Sequence, residues 1–337
     1  MIWQFDVILL TLVLVCAVIS LSIRDLMASA IVFGAYSFLM CLVWTGMGAV
    51  DVAFTEAAVG AGVSTVFFVA TIYRTTRQSN YKRKDLFIRS FSAVVVSVVA
   101  LALFAVIADF PYWGDPFSPV NDYVGSYYIT HTMAHSNVPN VVTSVLADYR
   151  GFDTMFETCV VFVACIGIYA ILRRRKKQAK AEDTAVKHVA HDSLIIRVAS
   201  QIMVPFMQLF ALYVVAHGHH SPGGGFQGGV VLGASVILLA LAFNVKTTLK
   251  YLSEKSMIAY SAIGVLIFAG TGLLCMFLGG NFLDYSVLSQ ILPYTDEVMA
   301  RSHAMLIVEI GVALTVMSAM YGIYLSLATD GHFDQGL

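Results

Sequence analysis

Long apolar runs, separated by short polar segments, dominate the hydrophobic pattern of the chain. A helix that crosses a lipid bilayer needs about 20 consecutive, mostly apolar residues. Nine runs approach or reach that length, and they lie near residues 2–23, 26–44, 52–72, 91–108, 154–172, 198–216, 225–243, 257–277 and 304–327. The pattern therefore predicts an all-α, polytopic membrane protein with about nine transmembrane helices.

The basic residues predict how these helices are oriented. If successive connections alternate between the two sides of the membrane, 18 of the 20 Lys and Arg residues fall on one side. Only Arg150 and Arg301 fall on the other side. Because cytoplasmic loops carry an excess of Lys and Arg, we expect the N-terminus to be outside and the C-terminus inside.

Composition excludes several other classes of protein. Hydrophobic residues make up 58% of the 337 residues and charged residues only 12%, whereas a soluble domain carries about 25% charged residues. The net charge of −1 provides no basic field, so we expect no nucleic-acid partner. The five cysteines lie in apolar runs without a CxxC pair, and the sequence contains no catalytic triad or cofactor loop. We therefore expect no cofactor and no enzyme that acts by itself.

Two basic linkers divide the chain into three predicted modules. The first covers residues 74–89, and the second, which reads RRRKKQAKAEDTAVKHVAHD, covers residues 173–192. Polar, charged segments of this kind are typical of flexible or surface-helical linkers. We expect a three-helix module over residues 1–79, a two-helix module with an outer amphipathic segment over residues 80–180, and a four-helix module over residues 181–337.

Three acidic residues inside apolar runs are the main functional candidates. A carboxylate at the centre of a spanning helix costs roughly 2.5 to 3.5 kcal/mol on insertion scales. Glu56, Glu157 and Glu309 each fall one to two turns from the predicted outer end of a helix. Acids at a similar depth favour a shared, hydrated cation path, with Asp51 at its mouth and Thr55 as a hydroxyl ligand. The alternative is that neighbouring helices or interfacial water satisfy each acid separately.

Basic side chains, unlike these acids, are not predicted inside the membrane, because all Lys and Arg residues lie in connections or at helix ends. A complete proton relay across roughly 30 Å of hydrocarbon needs several titratable stations. The chain supplies stations only in the predicted outer part, so we expect it to need partner subunits for ion exchange.

The predicted outer loop HGHHSPGGGFQGG precedes the seventh run, at residues 217–229. Ser221 and Pro222 fit the N-cap and the first position of the following helix. Gly225, Gly229 and Gly233 recur every four residues, which predicts close packing of one helix face. A nucleotide loop is excluded because no preceding strand and no following Lys-Thr or Lys-Ser pair is present.

The histidines of this loop leave two roles open. His217, His219 and His220 could bind metal or sense pH, but no carboxylate or cysteine accompanies them at ligand spacing. Hydrogen bonding in a packed interface is the favoured interpretation, so we assign no metal site. The pair His131 and His135 would share one face of a helix, which is weak support for a metal.

The stretch NVPNVVTSVLADYRGFDTMFE, residues 137–157, carries a cluster of charges before the fifth run. Asp148, Arg150, Asp153 and Glu157 crowd the start of that run. We expect Arg150 to pair with Asp148 or Asp153 and to fix the return of the chain into the membrane. A gating role is the alternative.

These motifs carry a resemblance to a known family. DVAFTEAAVGAG resembles a segment of the C-terminal part of the large A-type component of Mrp-type multisubunit Na+/H+ antiporters, and of a small membrane component of membrane-bound hydrogenases. PNVVTSVLADYRGFDTMFE is similar to the next module of the same systems, and HGHHSPGGGFQGG to the signature of the B-type component of Mrp antiporters. The three modules that these motifs mark, taken in that order, cover nearly the whole chain.

The resemblance implies a membrane subunit of a large complex, related to the membrane arm of respiratory complex I, that couples proton and sodium movement. It implies antiporter-like partner subunits, the lipid bilayer as surroundings, and the plasma membrane of a prokaryote as location. It also implies that Glu56, Asp148, Arg150, Asp153 and Glu157 belong to family-type patterns, with Glu309 in the last helix. The first two modules here precede a B-like module without a long antiporter-like region before them. A membrane subunit of a hydrogenase or other respiratory complex, or a scaffold without its own ion path, therefore stays open.

Overall fold

The computed structural model describes residues 3–79, 86–112, 114–173 and 194–329. Within these ranges, nine helices are long and apolar enough to cross a membrane. They are α1 (Trp3–Ser22), α2 (Leu26–Gly46), α3 (Val50–Arg74), α4 (Leu86–Ile107), α5 (Gly151–Leu172), α6 (Leu194–His217), α7 (Gly225–Phe243), α8 (Glu254–Phe277) and α9 (Glu297–Ala328). For the described part of the chain, the predicted all-α membrane fold with nine spanning helices is confirmed, and the orientation of the termini stays a prediction.

Shorter helices lie in the connections. An α-helix covers Ser126–Ser136, and a helix at Val141–Ser144 continues into a π-helical turn at Val145–Tyr149. The segment Val245–Tyr251 is α-helical, and Tyr285–Gln290 forms a 3₁₀-helix. The connection before α5 is therefore a structured segment and not an open loop.

Helix α9 begins earlier than the apolar pattern predicts. The apolar run starts at residue 304, but the helix starts at Glu297 because the Asp296 side chain accepts a hydrogen bond from the Met299 amide and caps it. Glu309 consequently lies about three turns from the start of its helix. The predicted depth of one to two turns is wrong for this residue.

The described residues within 1–77 and 132–337 form one compact unit, and those within 78–131 form a second. The second unit contains α4, none of whose residues is buried. Residues 80–85 of the first predicted basic linker and residues 174–192 of the second lie outside the described residues. The three module boundaries stay predictions.

Helix α9 is the centre of the larger unit and packs against α3, α5, α6, α7 and α8. Glycines allow the closest of these contacts. A methyl group added at Gly225 would overlap the Glu309 carbonyl oxygen, and one at Gly229 would lie 2.8 Å from the Ala313 carbonyl oxygen. At Gly233 it would lie 3.1 Å from Met320 Cβ. The glycine-bearing face of α7 therefore lies directly on α9, as the spacing of four predicts.

Polar contacts join the modules at the helix ends opposite residues 217–224. Arg74, at the end of α3, donates a hydrogen bond to the Ala328 carbonyl oxygen at the end of α9. Arg173, just after α5, lies 3.1 Å from the Glu254 carboxylate at the start of α8. Side chains from the first and second predicted modules thus contact the helices of the third.

Candidate functional site

A cavity of about 120 Å³ lies between α3, α5, α7 and α9, and the helical segment at residues 141–149 also lines it. Its polar side chains come from all three predicted modules. They are Asp51 and Thr55 of α3, Thr143, Thr154 and Glu157 of the second module, and Gln227 and Glu309 of the third. The structure therefore brings together four of the five residues predicted to form a cation path.

Glu309 is the most buried acid of this cavity. Its exposed fraction is 8%, and its Oε2 atom has no hydrogen-bond partner among the described residues. Two glycines of the connection between α6 and α7 approach the carboxylate. Methyl groups added at Gly218 and Gly224 would lie 3.1 Å from Oε2 and 3.3 Å from Oε1, respectively. The glycine-rich sequence thus lets a backbone segment lie against a buried carboxylate.

The start of α7 differs from its prediction. The helix begins at Gly225 with Gly224 as N-cap, so Ser221 and Pro222 are not the N-cap and first helical residues. Gly223 and Gly224 intervene with φ angles of +149° and +139°, which side-chain-bearing residues rarely adopt. Ser221 Oγ instead donates to the His217 carbonyl oxygen at 3.2 Å.

Asp51 holds the glycine loop from the side of α3. Its Oδ1 atom accepts a hydrogen bond from the Gly223 amide at 3.1 Å and from Asn140 Nδ2 at 3.4 Å. Asp51 therefore lines the cavity and also holds the glycine loop, a structural role that the sequence did not indicate.

Asn140 and Thr143 hold the same loop from the second module. Asn140 Nδ2 donates to the carbonyl oxygens of Gly218 and Ser221, both at 3.1 Å, while its Oδ1 caps the helix at Val141–Ser144. Thr143 Oγ1 donates to the Gly218 carbonyl oxygen at 2.8 Å. Sequence reasoning missed Asn140, although an Asn directly before an apolar helical stripe is a recognisable N-cap signal.

Glu56 lies apart from this cavity. Its carboxyl group contacts Gly60 of the same helix, and the Ser37 hydroxyl of α2 lies close to the same position. Glu56 is also the first residue of a π-helical segment, Glu56–Val63, inside α3. Such segments often occur at functional sites, but this one packs against α2 and α7, and none of its residues lines the cavity at Glu157 and Glu309.

Two ion pairs account for three of the four charged residues clustered before and at the start of α5. Arg150 pairs with Asp153 at 2.5 Å, and both side chains are more than half exposed. The side chain of Asp148 is 2% exposed and pairs with Arg301 of α9 through contacts of 2.9 Å and 3.1 Å. Burial raises the pKa of Asp148 above its usual range, and the nearby Arg301 charge only partly offsets that effect. Asp148 is therefore held by Arg301 of α9, a residue for which the sequence predicted only the side of the membrane.

Three family models match consecutive parts of the chain. Residues 11–77 match the MbhD subunit of MBH, residues 116–188 match the MbhE subunit of MBH, and residues 195–322 match a domain related to the MnhB subunit of Na+/H+ antiporters. A solved chain of the Mrp complex from Dietzia sp. DQ12-45-1b aligns with 97% of this chain, with a TM-score of 0.75 and 26% identity. The Staphylococcus aureus protein named as antiporter subunit mnhB2 is 31% identical over 137 residues, which cover 95% of that protein. The chain belongs to the Mrp-type antiporter subunit family.

One relative of the Mrp-type chain is named after both the A and the B subunit. A Rhizobium meliloti protein named as the A/B subunit of a probable K+/H+ antiporter is 25% identical over 228 residues. This match covers 62% of the Mrp-type chain and 22% of the relative. The chain likewise spans 35% of the solved Dietzia chain. The order of an A-type C-terminal part followed by a B-type module is supported.

The histidines of the Mrp-type loop contact aromatic rings and one another. His217 stacks on Tyr213 at 4.9 Å between ring centroids and lies 5.3 Å from the His220 ring. Burial lowers the pKa of His219, and the nearby His220 and His303 lower it further. In the described ranges, no group of three or more His, Cys, Asp or Glu residues is arranged to hold a metal ion.

His131 and His135 have different neighbours. The His131 ring stacks on Tyr127 at 4.2 Å, whereas His135 Nδ1 forms a hydrogen bond with the Tyr149 hydroxyl at 2.9 Å. These contacts give the two histidines different partners, and the expectation of no metal site stays a prediction.

Proposed function

We propose that this chain is a membrane subunit of a cation/proton antiporter complex and that the cavity between α3, α5, α7 and α9 is part of its cation path. The observation that carries the proposal is the convergence of Asp51, Glu157 and Glu309 on one small cavity. Carboxylates that line the same small cavity repel one another unless a proton or a cation lies between them. The names of the relatives, which refer to Na+/H+ and K+/H+ antiporters, support the same function.

The proposal includes dependence on partner subunits. The chain spans only 22% of the A/B relative and 35% of the solved Mrp chain, so the activity of those larger proteins is carried over here only as a proposal. Glu157 is exposed in the chain by itself although it lines the cavity. Antiporter-like membrane subunits packed against this side would enclose the path, in the plasma membrane of a prokaryote.

Proton exchange in vesicles tests this function. We expect membranes that contain the whole complex to exchange protons for Na+ or K+, membranes with the complex lacking this chain not to do so, and liposomes with the isolated chain not to do so. The reason is that the chain supplies acids on one part of a route that must cross the whole bilayer. Robust exchange by the isolated chain, or undiminished exchange without it, would contradict the proposal.

A second candidate is a membrane subunit of a redox-driven respiratory complex, which the matches to MbhD and MbhE favour. The parent complex separates the two candidates. A purified complex that contains iron–sulfur or nickel subunits, and whose ion movement requires an electron donor, would support the second candidate. Ion exchange driven by an imposed gradient, in a complex without such subunits, supports the first.

A further inference from the structure

A groove lies between α3, α7 and α9 at the end of α3 that is far from the cavity. Its volume is about 350 Å³, and five residues between Thr65 and Tyr73 of α3, Leu241 of α7 and Tyr324 of α9 line it. None of these residues is charged. Because Tyr73 and Leu241 are exposed, the groove opens toward the outside of the larger unit. Water does not fill an apolar space of this kind, so its occupant is expected to be apolar.

The length of the groove matches one leaflet of a bilayer. Thr65 and Tyr73 are eight positions apart, which is about 12 Å along an α-helix. Half of the hydrocarbon core is about 15 Å. Tyr73 lies one residue before the end of α3, so the groove runs from the surface end of the helix toward its middle. An acyl chain fits this space, whereas an α-helix, about 10 Å across, is too wide for it.

An arginine without an acidic partner lies at the surface end of the groove. Arg74 directly follows Tyr73 and donates a hydrogen bond to the Ala328 carbonyl oxygen, but its Nε atom has no partner among the described residues. Within the same ranges no acid pairs with Arg74, whereas Arg77 pairs with Asp25 at 2.9 Å. A guanidinium has five N–H donors, so Arg74 retains both charge and donors for an anion.

The Tyr324 hydroxyl lies near the same charge. Tyr324 is buried and lines the groove, and its hydroxyl has no hydrogen-bond partner in the part of the chain that the structure describes. Arg74 is close enough to interact with this hydroxyl electrostatically. A buried hydroxyl without a partner costs stability. An anion that binds Arg74 and also accepts a hydrogen bond from Tyr324 would remove that cost.

We propose that this groove binds an anionic phospholipid, with a phosphate oxygen at Arg74 and Tyr324 and one acyl chain along α3. The uncharged lining suits the acyl chain, and the unpaired arginine selects an anionic headgroup. This end of α3 is the one predicted to face the cytoplasm, where anionic lipids attract basic residues. The lipid would join α3 of the first predicted module to α7 and α9 of the third. The site does not depend on the proposed antiporter function.

Photo-crosslinking of the purified complex in phosphatidylcholine nanodiscs tests the site. The probe is phosphatidylglycerol with a photoreactive group in its acyl chain, and mass spectrometry of peptides locates the label. We expect label within residues 65–73, about fivefold more than with the same probe made as phosphatidylcholine, because one arginine favours an anionic lipid by about that factor. Arg74→Gln should remove this preference, whereas Arg74→Lys, which retains the charge, should keep most of it.

Two control variants separate the site from its surroundings. Arg77→Gln removes a nearby charge that is already paired with Asp25, so the lipid preference should persist. Val69→Phe places a larger side chain in the groove and should reduce labelling by both lipids. Val52→Phe is the matched control for it, because Val52 is also exposed and also lies in α3 but does not line the groove.

Equal labelling of residues 65–73 by the two lipids would overturn the proposal. An equal loss of preference in Arg77→Gln and Arg74→Gln would also overturn it, because the attraction would then come from basic residues in general. Absence of label from residues 65–73 in the intact complex would show that a partner subunit covers the groove, which contradicts a lipid there. A native gel checks assembly, and if Arg74→Gln fails to assemble, Arg74→Lys and Val69→Phe decide the outcome.

Discussion

Replacement of Arg301 by Met is expected to destabilise the chain by about 3 to 5 kcal/mol, because it leaves a buried carboxylate without its partner. The side chain of Asp148 is 2% exposed and contacts Arg301 at 2.9 Å and 3.1 Å. The pair joins the segment at residues 141–149 to α9, so its loss also loosens one wall of the cavity. Thermal unfolding of the purified complex, followed by the fraction that stays assembled, measures the effect.

The defect of the Arg301→Met variant should also depend on pH. Burial raises the pKa of Asp148 in the folded chain above its value in the unfolded chain, and removal of Arg301 raises it further. A raised carboxyl pKa means that protonation favours the folded state, so this group's contribution to stability is present at low pH and is lost as the pH rises through the folded pKa. The loss of stability should therefore be smaller at pH 5 than at pH 8.

Arg150→Met is the matched control for Arg301→Met. Arg150 is the other arginine predicted on the same side, but its partner Asp153 is 51% exposed and Arg150 itself 60% exposed. An exposed pair contributes only about 0 to 1 kcal/mol. Equal destabilisation by the two substitutions would contradict the importance of the buried pair.

Substitution of Gly225 by Ala should separate α7 from α9. The added methyl group would overlap the Glu309 carbonyl oxygen, which is a backbone atom and cannot rotate away. Overpacking of this kind typically costs 1 to 3 kcal/mol, and we expect about 3 kcal/mol here. The same displacement would move the Glu309 carboxylate within the cavity, so proton exchange by the complex should weaken as well.

Gly167→Ala and Gly270→Ala provide the controls for this substitution. Both glycines lie inside spanning helices, and an added methyl group at either one meets no other atom within 4 Å. Ala is the better helix former by about 0.5 to 1 kcal/mol, so both variants should be as stable as the wild type or slightly more stable. Gly225→Ala with the stability of these controls would contradict the close contact between α7 and α9.

Features that depend on short sequence intervals could be predicted well. In the ranges that the structure describes, nine helices correspond to nine apolar runs, because each spanning helix must satisfy its backbone internally over about 20 residues. The glycine spacing in α7 correctly indicated one close-packed face, since residues four apart share a face of a helix. Glu157 and Glu309 line one cavity, as acids on a shared path would, whereas the path itself stays a prediction.

Features that depend on local backbone geometry or on distant contacts were missed. Gly223 and Gly224 adopt left-handed φ angles that delay the start of α7, and an Asp cap extends α9 beyond its apolar run. The π-helical segment that begins at Glu56 lies against α2 and leaves that acid outside the cavity. The pairing of Asp148 with Arg301 spans 153 positions and has no sequence signal.

The most direct test of the central claim, that this cavity lies on the cation path, is proton exchange per assembled complex in vesicles carrying Glu309→Gln or Glu157→Gln. Both acids line the cavity, whereas Asp153, in the same helix as Glu157, does not, which makes Asp153→Asn the control. We predict that each Gln variant assembles normally and loses most of its exchange, while the control keeps it. Normal exchange per surviving complex in both Gln variants, with a loss of assembled complex on a native gel, would contradict the claim and favour a scaffold.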